Sequence, residues 1–317
     1  MLAALEGVLS VILMIALGFV LARRGWFGGE ASALITRLVV SVALPAYMIA
    51  NLMGGYDRAG LLALLPGLPI PFLVMGVCYV LALGLASLFR IRPGRRGTFA
   101  SMFALSNTIF IGLPVNLILF GDASLPYALL YYIANTSIFW TLGTYGIARD
   151  GAILQGRPKP VFVSREGLGR ILSPPLVAFL LAVALILAGV HLPAPLLGLA
   201  KTLGGMTTPL SMLFIGIVVS RVEWRRLRLG REIVLVLVGR FLVSPLVLIL
   251  AVHSLDLPLL MKQVFLVQAM MPAMTQSPIV SQAYGADAEY AGLGTSLTTV
   301  LSLVSIPVCM ALIGRIF

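Results

Sequence analysis

No charged side chain occurs between Leu61 and Leu88. An apolar run of that length exceeds the roughly 20 residues a helix needs to cross a ~30 Å hydrocarbon core. Lipid offers backbone N–H and C=O groups no water, so only helices and closed β-barrels span it. A barrel requires short segments of alternating polarity, and these runs are long and uniformly apolar. Nine other stretches share the character, giving spans near 3–22, 32–53, 61–89, 97–120, 126–148, 174–191, 203–220, 232–253, 261–284 and 290–314. The chain is 60% hydrophobic and 10% charged, against about a quarter charged in a soluble domain. The expected fold class is all-α integral membrane, with ten transmembrane helices and the lipid bilayer as solvent.

The second five stretches repeat the proline punctuation of the first five. Pro45 and Pro209 are 164 residues apart, as are Pro114 and Pro278, and Gly121 and Gly285. Three coincident offsets argue for an internal duplication, with a first five-helix repeat over 1–153, a linker over 154–173 and a second repeat over 174–317. Five spans per half, an odd number, make the two repeats inverted. Matched proline-interrupted spans in inverted repeats point to a secondary transporter and to its binding site.

Lysine and arginine placement sets the orientation. Sixteen lie in the loops after spans one, three, five and seven, and four lie on the other side. The basic side is expected to face the cytoplasm, placing both termini outside an inner (plasma) membrane. The net charge of +11 is thus explained at membrane edges, and no nucleic-acid partner is expected. The first span is read as retained rather than as a signal peptide, because it lacks a basic start. Cys78 and Cys309 fall in apolar spans and read as core residues.

The candidate chemistry sits in spans four and nine. Span four reads Ser106-Asn107-Thr108-Ile109-Phe110-Ile111-Gly112-Leu113-Pro114. Proline removes a donor and displaces a carbonyl one turn back. A lone proline would be a kink healed by neighbours; the matched proline in span nine favours a true break at Pro114 and Pro278. Span nine packs two prolines, two glutamines and two hydroxyls into Gln268–Pro278, including Gln276 and Ser277. Asn135 in span five is a buried amide that needs several partners. Arg240 lies about 10–12 Å into span eight by helical rise, with no carboxylate deep in any span. It either snorkels or is caged by carbonyl oxygens or a substrate carboxylate. Arg37 is shallower and reads as snorkelling. The expected substrate-binding set is Asn107, Thr108, Gly112, Pro114, Asn135, Gln276, Ser277, Pro278 and Arg240. No metal cluster, Walker loop, dinucleotide fingerprint or nucleophile–base pair is present, so neither an enzyme nor a cofactor is expected.

At these residues the chain resembles the auxin efflux carrier family, which includes the PIN-FORMED transporters of plants and bacterial permeases for malate and malonate. NTIFIGLP resembles the plant run NTLVMGIP, GRFLVSPLV resembles VRFLTGPAV, VQAMMP resembles VQAALP, and ITRLVVSVALP resembles INRFVALFAVP. The resemblance covers all ten spans. It implies a scaffold and homodimer interface from spans 1, 2, 6 and 7, and a moving transport domain from spans 3–5 and 8–10. Spans four and nine would cross, with an organic anion bound nearby. Plant members carry an acidic and a basic residue in the third span, which is uncharged here, and their large cytosolic loop is a short linker here. Auxin specificity is therefore not implied.

The leading expectation is an elevator-type secondary carrier for small organic anions, since broken spans aim positive helix ends at an anion. A membrane sensor with a transporter-like site, or an anion channel, are the alternatives. With no buried carboxylate to accept a proton, the simplest expected cycle is uniport.

Overall fold

The computed structural model describes residues 2–28, 30–158, 160, 173–221 and 230–316. Its α-helices are α1 (Leu2–Arg23), α2 (Ala31–Leu38), α3 (Leu44–Gly55), α4 (Arg58–Leu62), α5 (Pro69–Leu88), α6 (Arg96–Ala104), α7 (Leu113–Phe120), α8 (Leu125–Ile138) and α9 (Thr144–Leu154) in the first half. The second half holds α10 (Pro174–Leu187), α11 (Ala194–Gly204), α12 (Thr207–Ser220), α13 (Arg231–Val238), α14 (Ser244–Val252), α15 (Leu259–Ala269), α16 (Gln276–Tyr284) and α17 (Ala288–Ile316). Among the described residues there is no β-strand, only an isolated antiparallel bridge between Ser106 and Ala273. Five helical runs are long and apolar enough to cross a bilayer: Ala33–Gly55, Arg58–Leu88, Ala194–Ser220, Arg231–Val252 and Ala288–Cys309. The chain is an all-helical integral membrane protein. Most of the linker expected over 154–173, and most of the basic loop between spans seven and eight, lie outside the described residues.

Prolines inside these runs leave a recurrent local mark. Pro45, Pro114 and Pro245 each follow, by two residues, a π-helical turn: Val39–Ala43, Thr108–Gly112 and Gly239–Val243. A missing N–H frees a carbonyl one turn earlier, and a widened turn absorbs the resulting mismatch without ending the helix.

The chain separates into two compact units. One comprises residues 1–67, 109–129 and 172–221. In it α1 packs along α12, and α3 packs against both α10 and α11. Small residues permit the first contact: a Cβ on Gly18 would lie 2.5 Å from the Leu213 carbonyl oxygen. Lipid offers no hydrophobic gradient between helices, so close backbone approach through small residues is what holds them. Leu13, Leu17, Leu180 and Leu181 point outward, as a lipid-facing surface requires. The Tyr47 hydroxyl donates to Asp122 at 2.5 Å. Arg37 is exposed, in keeping with a snorkelling side chain.

The other unit comprises residues 68–108, 130–171 and 222–317. Here α6 packs against α5 and α9, and α16 packs against α9 and α17. Gly97 of α6 and Gly146 of α9 meet so closely that a methyl group on Gly97 would overlap the backbone of Gly146. Phe99, Phe103, Tyr131 and Phe265 fill the interior. At the basic end, Arg95 pairs with Glu232 at 2.9 Å and with Asp287 at 2.7 Å.

Candidate functional site

Two helical runs of the second unit stop inside the span and resume. The first is α6, which ends where Leu105 turns extended (φ −108°, ψ 134°). The second is α15, which ends at Ala269, shortly before Met271-Pro272. A residue preceding proline is pushed out of the α region, so the second break is written into the sequence. The interruptions therefore fall at 105–107 and 270–275, earlier than the expected Pro114 and Pro278. Those two prolines serve differently. Pro278 is the third residue of α16, where a helix has no use for the missing N–H. Pro114 instead lies inside the continuous run Thr108–Phe120, where the π-helical turn before it absorbs the missing bond.

The two extended segments pair. Ser106 and Ala273 form an antiparallel bridge, and the Asn107 amide donates to the Pro272 carbonyl at 2.8 Å. Asn135 of α8 extends this short ladder with its side chain. Its Oδ1 accepts from the Ser106 amide and its Nδ2 donates to the Ser106 carbonyl, both at 2.9 Å. The Ala273 amide donates to the Thr298 hydroxyl at 3.1 Å, and Gln268 Nε2 donates to the Thr108 carbonyl at 3.4 Å. Unpaired backbone is tolerable at membrane depth only with such partners.

Arg240 closes the other side. It projects from the π-helical turn after α13 and is fully buried. Its Nη2 donates to the carbonyls of Ala269 (2.7 Å) and Met271 (2.9 Å), its Nε to Met271 (3.1 Å) and its Nη1 to Phe103 (3.2 Å). These carbonyls belong to the C-terminal ends of α6 and α15, where helix dipoles concentrate negative charge. The guanidinium fork thus satisfies and neutralises both broken ends, and four of its five donors are spent on protein. Of the sequence alternatives for Arg240, the carbonyl cage is the one found.

The opposite polarity is left at the restart of the second helix. α16 begins after Thr275 with no side-chain cap. Around the breaks, Ser106 Oγ, Thr136 Oγ1, Gln268 Oε1, Gln276 Oε1 and Ser277 Oγ are buried without a hydrogen-bond partner. An unsatisfied buried polar atom costs about 1–3 kcal/mol, so several in one region mark a place suited to water or a polar ligand.

The structure gathers Asn107, Thr108, Asn135, Arg240, Gln276, Ser277 and Pro278 into this one unit. Gly112 and Pro114 fall in the first unit, within the continuous run Thr108–Phe120. The amide of Gly112 is therefore not at a helix start, contrary to expectation; the run resumes at Thr108. In that unit, fully buried Asn116 donates to the Gly112 carbonyl at 2.7 Å, a partner the sequence reading passed over. Gln268 and Thr298 were visible in the sequence as polar span residues, but their service to the break was not. The expectation of no buried carboxylate is also corrected. Asp150 is 2% exposed, and it was missed because it follows the end of the fifth apolar stretch next to Arg149. Among the described residues no group of three or more His, Cys, Asp or Glu side chains is placed to hold a metal ion.

Residues 3–310 match the model of a family described as membrane transport protein. The chain is 29% identical over 308 residues to an uncharacterized transporter of Methanothermobacter thermautotrophicus, covering 95% of this chain and 96% of that one. It is 24% identical over 307 residues to an uncharacterized transporter of Methanocaldococcus jannaschii, again covering 95% and 96%.

Proposed function

The chain belongs to the membrane transport protein family, and on that premise we propose that it is a secondary carrier for small organic anions, carboxylates above all. The observation that carries the substrate class is the sorting of helix ends in the second unit. The negative ends at Phe103, Ala269 and Met271 are capped by Arg240. The positive end of α16 is left with the buried, unpartnered Ser277 hydroxyl, a free donor, beside it. A carboxylate accepts hydrogen bonds from hydroxyls and amides and is favoured by a helix N-terminus. A cation would find no acid there and a fixed guanidinium nearby.

In this reading Asn107, Thr108, Gln276 and Ser277 contact the anion, while Asn135, Pro278 and Arg240 hold the broken backbone in register. The cycle proposed is of the elevator type, in which spans 3–5 and 8–10 carry the site past a homodimeric scaffold built on spans 1, 2, 6 and 7. Residues 109–129 of spans four and five group with the scaffold spans in the compact units, so they are the segment such a cycle has to carry along. The protein is assigned to the inner membrane with its basic loops inside.

The test is a thermal-shift panel of mono- and dicarboxylates on purified protein. A ligand at a hundred times its Kd stabilises by about 2.7 kcal/mol. Asn107→Ala should weaken any hit roughly five- to a hundred-fold. A panel of organic cations that stabilises while every carboxylate is silent would overturn the substrate class.

A further inference from the structure

We propose that Asp150 is a proton-binding site that controls the helix leading to the broken segment, so that transport responds to pH on the arginine-rich side of the membrane. This rests on the carrier reading above. The geometry is that of a helix cap supplied from another helix. Helix α6 begins after Arg95 without a side-chain cap of its own. Asp150, from α9, fills the role. Its Oδ2 accepts from the Thr98 amide at 2.7 Å and from the Thr98 hydroxyl at 2.9 Å. Thr98 is the third residue of α6, where an N-terminal amide has no partner in its own helix. The same short helix ends at Ala104, immediately before Leu105–Asn107. The contact between Gly97 and Gly146 leaves no slack between α6 and α9, so a change in the cap is felt along α6.

The site can also be reached. A cavity of about 390 Å³ is lined by Asp150, Gly97, Gly146, Arg96, Arg149 and Tyr79, among others. Among the described residues, the ion pairs are those of Arg95 with Glu232 and Asp287, so no described lysine or arginine lies within 4 Å of the Asp150 carboxylate. The groups around it are Arg149 on its own helix, Arg96 and Arg95 at the start of α6, Tyr79 of α5, Tyr284 of α16 and Tyr290 of α17. Arg95 is occupied by its two carboxylates. Desolvation by burial pushes the Asp150 carboxyl up to about 6, against the opposing pull of the Thr98 and Gly97 amides, the Thr98 hydroxyl and Arg149. Because the folded value lies above the unfolded one, protonation favours the fold. That contribution is complete below about pH 4 and is lost as pH rises through about 6.

The proton arrives from water through the cavity and leaves the same way. The neutral carboxyl keeps an oxygen that accepts from the Thr98 amide; ionisation strengthens that bond but leaves a charge that burial penalises more.

The experiment is hydrogen exchange on the full chain in lipid nanodiscs, between about pH 5 and pH 8, corrected for intrinsic exchange. The segment 96–104 should lose protection as pH rises, in a step with a midpoint near pH 6; a step of the opposite sign overturns the proposal. Asp150→Asn should abolish the step. Thr98→Val, which removes one donor and keeps the carboxylate, should move the midpoint upward and keeps the idea testable if Asp150→Asn folds poorly. A parent with no step, or a midpoint unmoved by Thr98→Val, overturns the proposal. No substrate is needed, so failure of carboxylate flux would sink the carrier reading and the transport part of this proposal, and leave the pH-dependent cap of α6 to stand or fall by the exchange result.

Discussion

Removing Arg240 should damage the protein more than removing any exposed arginine. Its fork serves three buried carbonyls, those of Phe103, Ala269 and Met271. An orphaned buried acceptor costs about 1–3 kcal/mol, so Arg240→Ala exposes the fold to a loss of about 3–9 kcal/mol. Part of this is offset, because burying a guanidinium is itself costly and the substitution relieves that. The net expectation is about 3–5 kcal/mol, or an apparent melting point lower by on the order of 10 °C. Arg240→Lys keeps the charge but has a compact ammonium in place of the planar fork. It cannot reach carbonyls on two helix ends at once, and about 2 kcal/mol should be lost. The assay is thermal unfolding of purified protein in one detergent at a fixed scan rate, because membrane proteins often unfold irreversibly. An Arg240→Ala protein melting within about 1 °C of the parent would refute the reasoning.

Asn135→Ala deprives both the amide and the carbonyl of Ser106 of partners, so it should destabilise by about 2–4 kcal/mol in the same melting assay. Gly97→Ala would drive a methyl into the backbone of Gly146 and should cost about 1–3 kcal/mol. Gly84→Ala on α5 meets nothing within 4 Å and should leave the melting point unchanged. Each negative charge carried across the bilayer couples to the potential by about 2.3 kcal/mol per 100 mV. A potassium-diffusion potential that is inside-negative should therefore accelerate anion export from proteoliposomes and slow uptake; flux indifferent to voltage would reject uniport.

The membrane-embedded, all-helical character was legible because charge-free runs such as Leu61–Leu88 leave no other option. The presence of breaks in spans four and nine was legible too, since prolines and amides cluster there. Their positions were not. Pro114 and Pro278 look like helix breakers in sequence, yet Pro114 lies within the continuous run Thr108–Phe120 and Pro278 near the start of α16, and the break in span four falls at Leu105–Asn107, where no proline stands. That break depends on partners distant in sequence, Pro272, Asn135 and Arg240, which no local pattern reveals. Arg240 was singled out by its depth alone, which left snorkelling, a carbonyl cage and a substrate carboxylate open; the carbonyl cage is what the fold supplies. Asp150 escaped notice because sequence shows only its proximity to a span boundary, whereas its burial comes from the packing of α9 against other helices, which no local pattern reveals.

The central claim is that this protein moves small carboxylates across a bilayer. The direct measurement is counterflow: proteoliposomes preloaded with one unlabelled carboxylate are diluted into the same labelled carboxylate, across a panel of mono- and dicarboxylates. The account predicts saturable, transiently concentrative uptake for at least one member, reduced by Asn107→Ala at subsaturating substrate. Saturable binding of a carboxylate to the same vesicles with no counterflow would contradict it and identify a sensor instead.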